Sequence, residues 1–166
     1  MRRLALIAVS LCALPLAACQ EPPKPIPFRP VVDTKTLMDA VIERQANIVW
    51  ESVGTFITPE GIEERRPSTD EQWKAVRDAA VNITESSNLL LIPARVQDNP
   101  EQWTQFVQEL IKQGERMIAA ADKKSPDDVF NVGAELYDAC VNCHTNFMPG
   151  VREMYRPGSS GSTESK

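Results

Sequence analysis

The amino-acid sequence predicts an all-α domain on three observations. Apolar residues recur every three or four positions through four segments, and glycine and proline punctuate the boundaries between them. Neither a hairpin dipeptide nor a sustained period-two alternation appears. Four helices of roughly 17 to 24 residues joined by modest loops pack most economically as an antiparallel four-helix bundle.

The first helix is expected from about Asp33 to Phe56, with Asp33 or Thr34 as N-cap and Leu37, Val41, Ile48 and Phe56 among its apolar positions. A loop with Pro59, Gly61 and Pro67 follows. Its Glu63-Glu64 pair reads as loop acids, not a catalytic dyad. The second helix opens at Ser68-Thr69-Asp70-Glu71, which reads as a capping box, and continues through Trp73, Val76, Ala80 and Ile83. The third is the clearest. Asn99-Pro100-Glu101 supplies an N-cap, a first-turn proline and an acidic first turn, and Trp103, Val107, Leu110, Gly114, Met117 and Ala121 mark one buried face. Ser125-Pro126-Asp127-Asp128 repeats that start for the fourth, which carries Val132, Gly133, Leu136 and Tyr137 and stops at Pro149-Gly150.

The last helix also carries Cys140-Val141-Asn142-Cys143-His144, the C-x-x-C-H attachment signal of a c-type haem. Two thiols on one helical turn can form thioethers to the two haem vinyl groups, and the adjacent imidazole reaches the iron from the same side. His144 is the only histidine in 166 residues. A lone histidine placed at random would rarely follow this cysteine. A dithiol oxidoreductase would need a strand before the motif, and structural zinc a fourth ligand beyond Cys140, Cys143 and His144.

The chain ends bear on location. Arg2-Arg3, the apolar Leu4 to Leu16 and Leu16-Ala17-Ala18-Cys19 read as a signal peptide spanning residues 1–18. The last four residues resemble the lipobox of bacterial lipoproteins, which implies cleavage before Cys19, lipidation of its sulfur and a periplasm-facing membrane anchor. Gln20 after the cysteine leans towards the inner leaflet of the outer membrane. Cys140 and Cys143 taken by haem, Cys19 by lipid and Cys12 lost with the peptide leave no structural disulfide. Residues 19–32 read as a proline-rich tether, 33–150 as the four-helix-bundle domain that carries the haem signal and 151–166 as a polar, disordered tail. Cleavage removes Arg2 and Arg3, leaving 16 basic against 23 acidic residues, a net charge of −7. That excludes nucleic acid and electrostatic adhesion to anionic lipid as partners.

Four helices with C-x-x-C-H on the last resemble cytochrome c-prime and its low-spin relatives. The resemblance spans about Asp33 to Phe147. It is most specific at Ala119-Ala120-Ala121-Asp122, Val132-Gly133 and Cys140 to His144, with Arg44-Gln45-Ala46 the other suggestive fragment. It implies one covalent haem c with His144 proximal, and it allows a homodimer.

The opposite face of the iron then decides the function. Alignment of Arg44-Gln45-Ala46 puts Ile48 over the iron, leaving a site open to a small gas such as nitric oxide. Bundle geometry favours Met38 instead, because both it and His144 lie about one turn from neighbouring helix ends. Met38 and Ile48 are about 15 Å apart along a helix, so both cannot face one iron. Met117 reads as core, Met148 as proximal-side and Met154 as beyond the helix. Tyr137 and Phe147 flank the motif as haem-crevice walls, and Arg44 offers a propionate partner. The expected function is one-electron transfer between a redox protein donor and acceptor, with Met38 and His144 as iron ligands. No substrate-transforming machinery, and so no enzyme, is read from the chain. A five-coordinate gas-binding haem is the alternative.

Overall fold

A computed structural model of the chain describes residues 27–148 together with Gly150. The signal peptide, Cys19, the first part of the tether, Met154 and the tail lie outside the described residues. The chain is mainly helical, with one two-stranded sheet.

The first helix is capped by Asp33, whose carboxylate accepts from the Thr36 amide at 2.7 Å. It runs as α-helix over Thr34–Leu37, as π-helix over Met38–Ile42 and as α-helix again over Glu43–Trp50. The wide turn has a packing cause. Ile42, Ala46 and Val49 are buried at α-helical spacing, and at 100° per residue that stripe would swing Asp39 towards the core and Leu37 away. An i→i+5 turn puts Leu37 on the same side as Ile42 and leaves Asp39 in water.

The helix stops at Trp50, short of the expected Phe56. Residues Gly54–Thr58 and Gly61–Arg65 instead form an antiparallel hairpin, with Phe56 opposite Glu63 and Ile57 opposite Ile62. Gly54 and Gly61 sit at φ of 138° and 137°, where other residues are strained. The Arg65 guanidinium stacks 4.2 Å from the Phe56 ring centre. This corrects the expectation of a strand-free domain. It also moves Glu63 and Glu64 from a loop into a strand, where Glu63 pairs with Arg65 and Glu64 accepts from Thr55.

The second helix, Asp70–Ser87, has its capping box one residue later than expected. Thr69 Oγ1 accepts from the Gln72 amide, and Gln72 reaches back to the Thr69 amide. Ser68-Thr69-Asp70-Glu71-Gln72 satisfies the pattern twice, and the chain uses the later frame. Short 3₁₀ turns at Asn88–Leu91 and Pro93–Arg95 lead to the third helix, Pro100–Asp122, and then the fourth, Pro126–Phe147. Asn99 and Ser125 cap these two as their sequences predict.

Neighbouring helices run in opposite directions. At one end Arg77 pairs with Asp122 at 2.7 Å and Lys124 with Asp70 at 2.5 Å, while at the other Trp103 Nε1 donates to Leu90 O at 2.9 Å. Arg116 pairs with Glu135 between the third and fourth helices, and Trp50 Nε1 donates to Gly133 O at 3.0 Å between the first and fourth. Val49, Ala80, Met117 and Leu136 meet in the core with no exposed surface, so Met117 is packing. Ile48, expected among the apolar positions, is 43% exposed.

Candidate functional site

The Cys140 to His144 segment lies in the last turns of the fourth helix. Thr145 Oγ1 donates to Val141 O at 2.9 Å and Asn146 Nδ2 to Asn142 O at 2.7 Å, closing the helix around the motif. Both thiols are free and half-buried. They pack on the apolar core together with Met38, Val41, Trp50 and Phe147.

Burial disfavours thiolate, and it pushes Cys140 and Cys143 each up to about 11; Cys143 adds to the effect at Cys140. The His144 imidazole is half-buried too. Burial lowers its pKa below the ordinary 6.5, and the Glu43 carboxylate pulls the other way. The neutral ring, the form that ligates metal, is therefore favoured at neutral pH.

The level of each residue follows from the Trp50 contacts. Trp50 bonds to Gly133 O and meets Tyr137 edge-on at 5.7 Å. His144 is seven residues past Tyr137 and eleven past Gly133. Counted back from Trp50 along the antiparallel first helix, it falls between Glu43 and Asp39. The electrostatic influence of Glu43 on His144 agrees with that level. Met38 lies one residue beyond the span, about 1.5 Å along the axis. Ile48 does not reach it. Ile48 lines a groove on another face with Glu51, Ser52, the second strand and Gln72.

The expected crevice walls separate. Phe147 stands edge-on to Trp103 at 5.0 Å and to Phe106 at 6.1 Å, so these two third-helix rings join the motif's surroundings. From the sequence either ring could equally be a crevice wall or bundle core. Tyr137 is 45% exposed and borders a separate cavity of about 270 Å³ with Val49, Trp50, Phe130 and Gly133. Arg44 is exposed, and Met148 is about half exposed at the helix end.

Arg95 went unnoticed in the sequence because it stands in a loop with no motif around it. It is buried at the same end of the molecule as the motif. Its Nη2 donates to Val32 O at 2.9 Å, just before the first helix, and its Nη1 to Leu89 O at 3.3 Å. Among the described residues no group of three or more His, Cys, Asp or Glu side chains could hold a bare metal ion. One imidazole and one thioether suit an iron whose equatorial donors come with a macrocycle.

No family model, no curated protein and no solved structure matches this chain.

Proposed function

We propose that this chain is a c-type cytochrome that carries one electron between redox proteins. One haem c would be joined covalently to Cys140 and Cys143, with His144 as proximal and Met38 as distal ligand. The observation that supports this best is the inward turn of both thiols. They face the apolar core from the helical turn that bears His144, and Met38 stands nearly level on the first helix.

The residues present fit the group. Val41, Phe147 and the rings beyond it give an apolar lining, and the buried, partnerless Nε of Arg95 offers a donor at the same end. Bound haem would supply an iron cycling between the ferric and ferrous states. The chain's own work is to hold that iron away from water and to set its potential through ligand, burial and charge. Burial keeps the His144 ring neutral, so its nitrogen lone pair is free for ligation. Met38, on a packed helix, would offer the iron a thioether in both oxidation states. The acidic surface suits a positively charged redox partner.

The antiparallel neighbours are consistent with a four-helix bundle, the architecture we propose for residues 33–150, with the hairpin as an insertion between its first two helices. We further propose that Cys19 is lipidated and that residues 19–32 tether the domain to a periplasm-facing membrane surface, the outer membrane's inner leaflet.

Visible absorption of the purified protein tests the ligand set. A low-spin spectrum with a sulfur-to-iron charge-transfer band, lost in Met38→Ala, is expected. A high-spin spectrum that changes on adding carbon monoxide to the reduced protein would replace electron transfer with gas binding.

A further inference from the structure

Arg95 has 6% of its surface exposed, and its Nε is buried without a partner. Nη1 and Nη2 each donate to one backbone carbonyl. Among the described residues no carboxylate pairs with it. A guanidinium stays charged at every pH a folded protein meets, and a buried charge without a counter-ion is strongly unfavourable. The Nε–H therefore lacks an acceptor and the guanidinium a counter-charge, and a carboxylate supplies both.

Its place in the fold says which carboxylate. Leu90, beside the Leu89 that Arg95 grips, accepts from Trp103 Nε1. The Trp103 ring meets Phe147, one turn beyond Cys143. Val32, the other carbonyl held, precedes Met38 by six residues. Arg95 thus stands at the end of the molecule that gathers the thiols, His144 and Met38. We propose that Arg95 is a cofactor-binding residue whose Nε donates to a propionate carboxylate of the covalently attached haem. This rests on the haem reading above. The bonds to Val32 and Leu89 hold the guanidinium still, and they also clasp the entry of the first helix to the loop after the second.

The test compares the haem-loaded full chain as wild type, Arg95→Leu and Arg95→Lys. Midpoint potential and the resonance Raman propionate bending band are read for each, and thermal unfolding is followed alongside. A cation beside the propionate favours the ferrous state. Arg95→Leu should therefore lower the ferrous-to-ferric ratio at fixed applied potential by about tenfold, a fall of about 59 mV for a one-electron couple. Arg95→Lys should recover at least half of the fall in potential while shifting the propionate band. An unchanged potential with a lower melting temperature in Arg95→Leu would overturn the proposal and leave Arg95 as a clasp alone. Should Arg95→Leu not fold, the Raman band of Arg95→Lys decides, since an unmoved band overturns the proposal as well. Wild-type protein whose Cys140 and Cys143 carry no haem mass would overturn the haem reading itself, a result distinct from the other two.

Discussion

Cys140 and Cys143 face apolar side chains, and that burial makes their thiols poor nucleophiles in the closed fold. With thiol pKa values near 11 against the ordinary 9.0, the thiolate fraction at pH 8 falls about a hundredfold. Alkylation of the folded, haem-free chain by iodoacetamide should be correspondingly slow, and its rate should climb with pH to a midpoint near 11. Mild denaturant should bring the midpoint back towards 9. Rapid labelling of the folded chain at pH 8 would show that the thiols are not buried. The same reasoning orders the events of maturation: covalent attachment would come before the fourth helix closes on its neighbours. At Met38 the decisive comparison is Met38→Ala against Met117→Leu. The first should abolish the sulfur-to-iron band, and the second, in the core, should leave it while costing under about 1.5 kcal/mol.

Among the elements, the third helix packs tightly on the second at Gly114. A Cβ there would lie 2.2 Å from Thr84 Oγ1 and 3.3 Å from Thr84 Cα. Overpacking of this kind costs about 1–3 kcal/mol, and alanine's better helix propensity offsets about 1 of it. Gly114→Ala should therefore destabilise the chain by up to about 2 kcal/mol in denaturant unfolding. Adding Thr84→Ala should recover part of the loss, because Oγ1 goes while Cα stays. Helices announced by strong local chemistry were legible in the sequence: Asn99-Pro100 and Ser125-Pro126 start the third and fourth where their residues say. The first was legible only at its start. Its apolar stripe ran on through Phe56, yet Gly54 and the Thr58-Pro59-Glu60-Gly61 turn with flanking Thr55, Phe56 and Ile57 carried a hairpin signal that the missing Asn-Gly dipeptide hid. The π turn at Met38–Ile42 answers a phase conflict between Leu37 and Asp39, which appears only when the buried face is known. The cysteines and histidine were legible as a motif, and the level of Met38 near His144 from a counting argument. Ile48 was misjudged because a helical stripe does not say which neighbour it faces. Arg95 could not be found, since burial of a loop arginine is decided by tertiary packing alone.

Over the whole molecule, the chain enters the first helix at Val32 beside Arg95, the end that bears the Cys140 to His144 motif. Lipid on Cys19 and a short tether would thus hold the motif end towards the membrane and the hairpin away from it. Cys19→Ser should move the protein from the membrane to the soluble periplasmic fraction with its absorption spectrum unchanged, and unchanged membrane association would remove the lipid anchor from the account. With the net charge of −7 that cleavage before Cys19 would leave, electron exchange with a basic partner should slow as ionic strength rises through the range where the Debye length falls below about 10 Å. Covalent attachment of haem is open to a decisive test by intact-mass analysis. The full chain produced alongside a c-type haem maturation system should carry one haem, and Cys140→Ser with Cys143→Ser should carry none. Wild-type chain recovered at its unmodified mass, with both thiols free, would contradict the account.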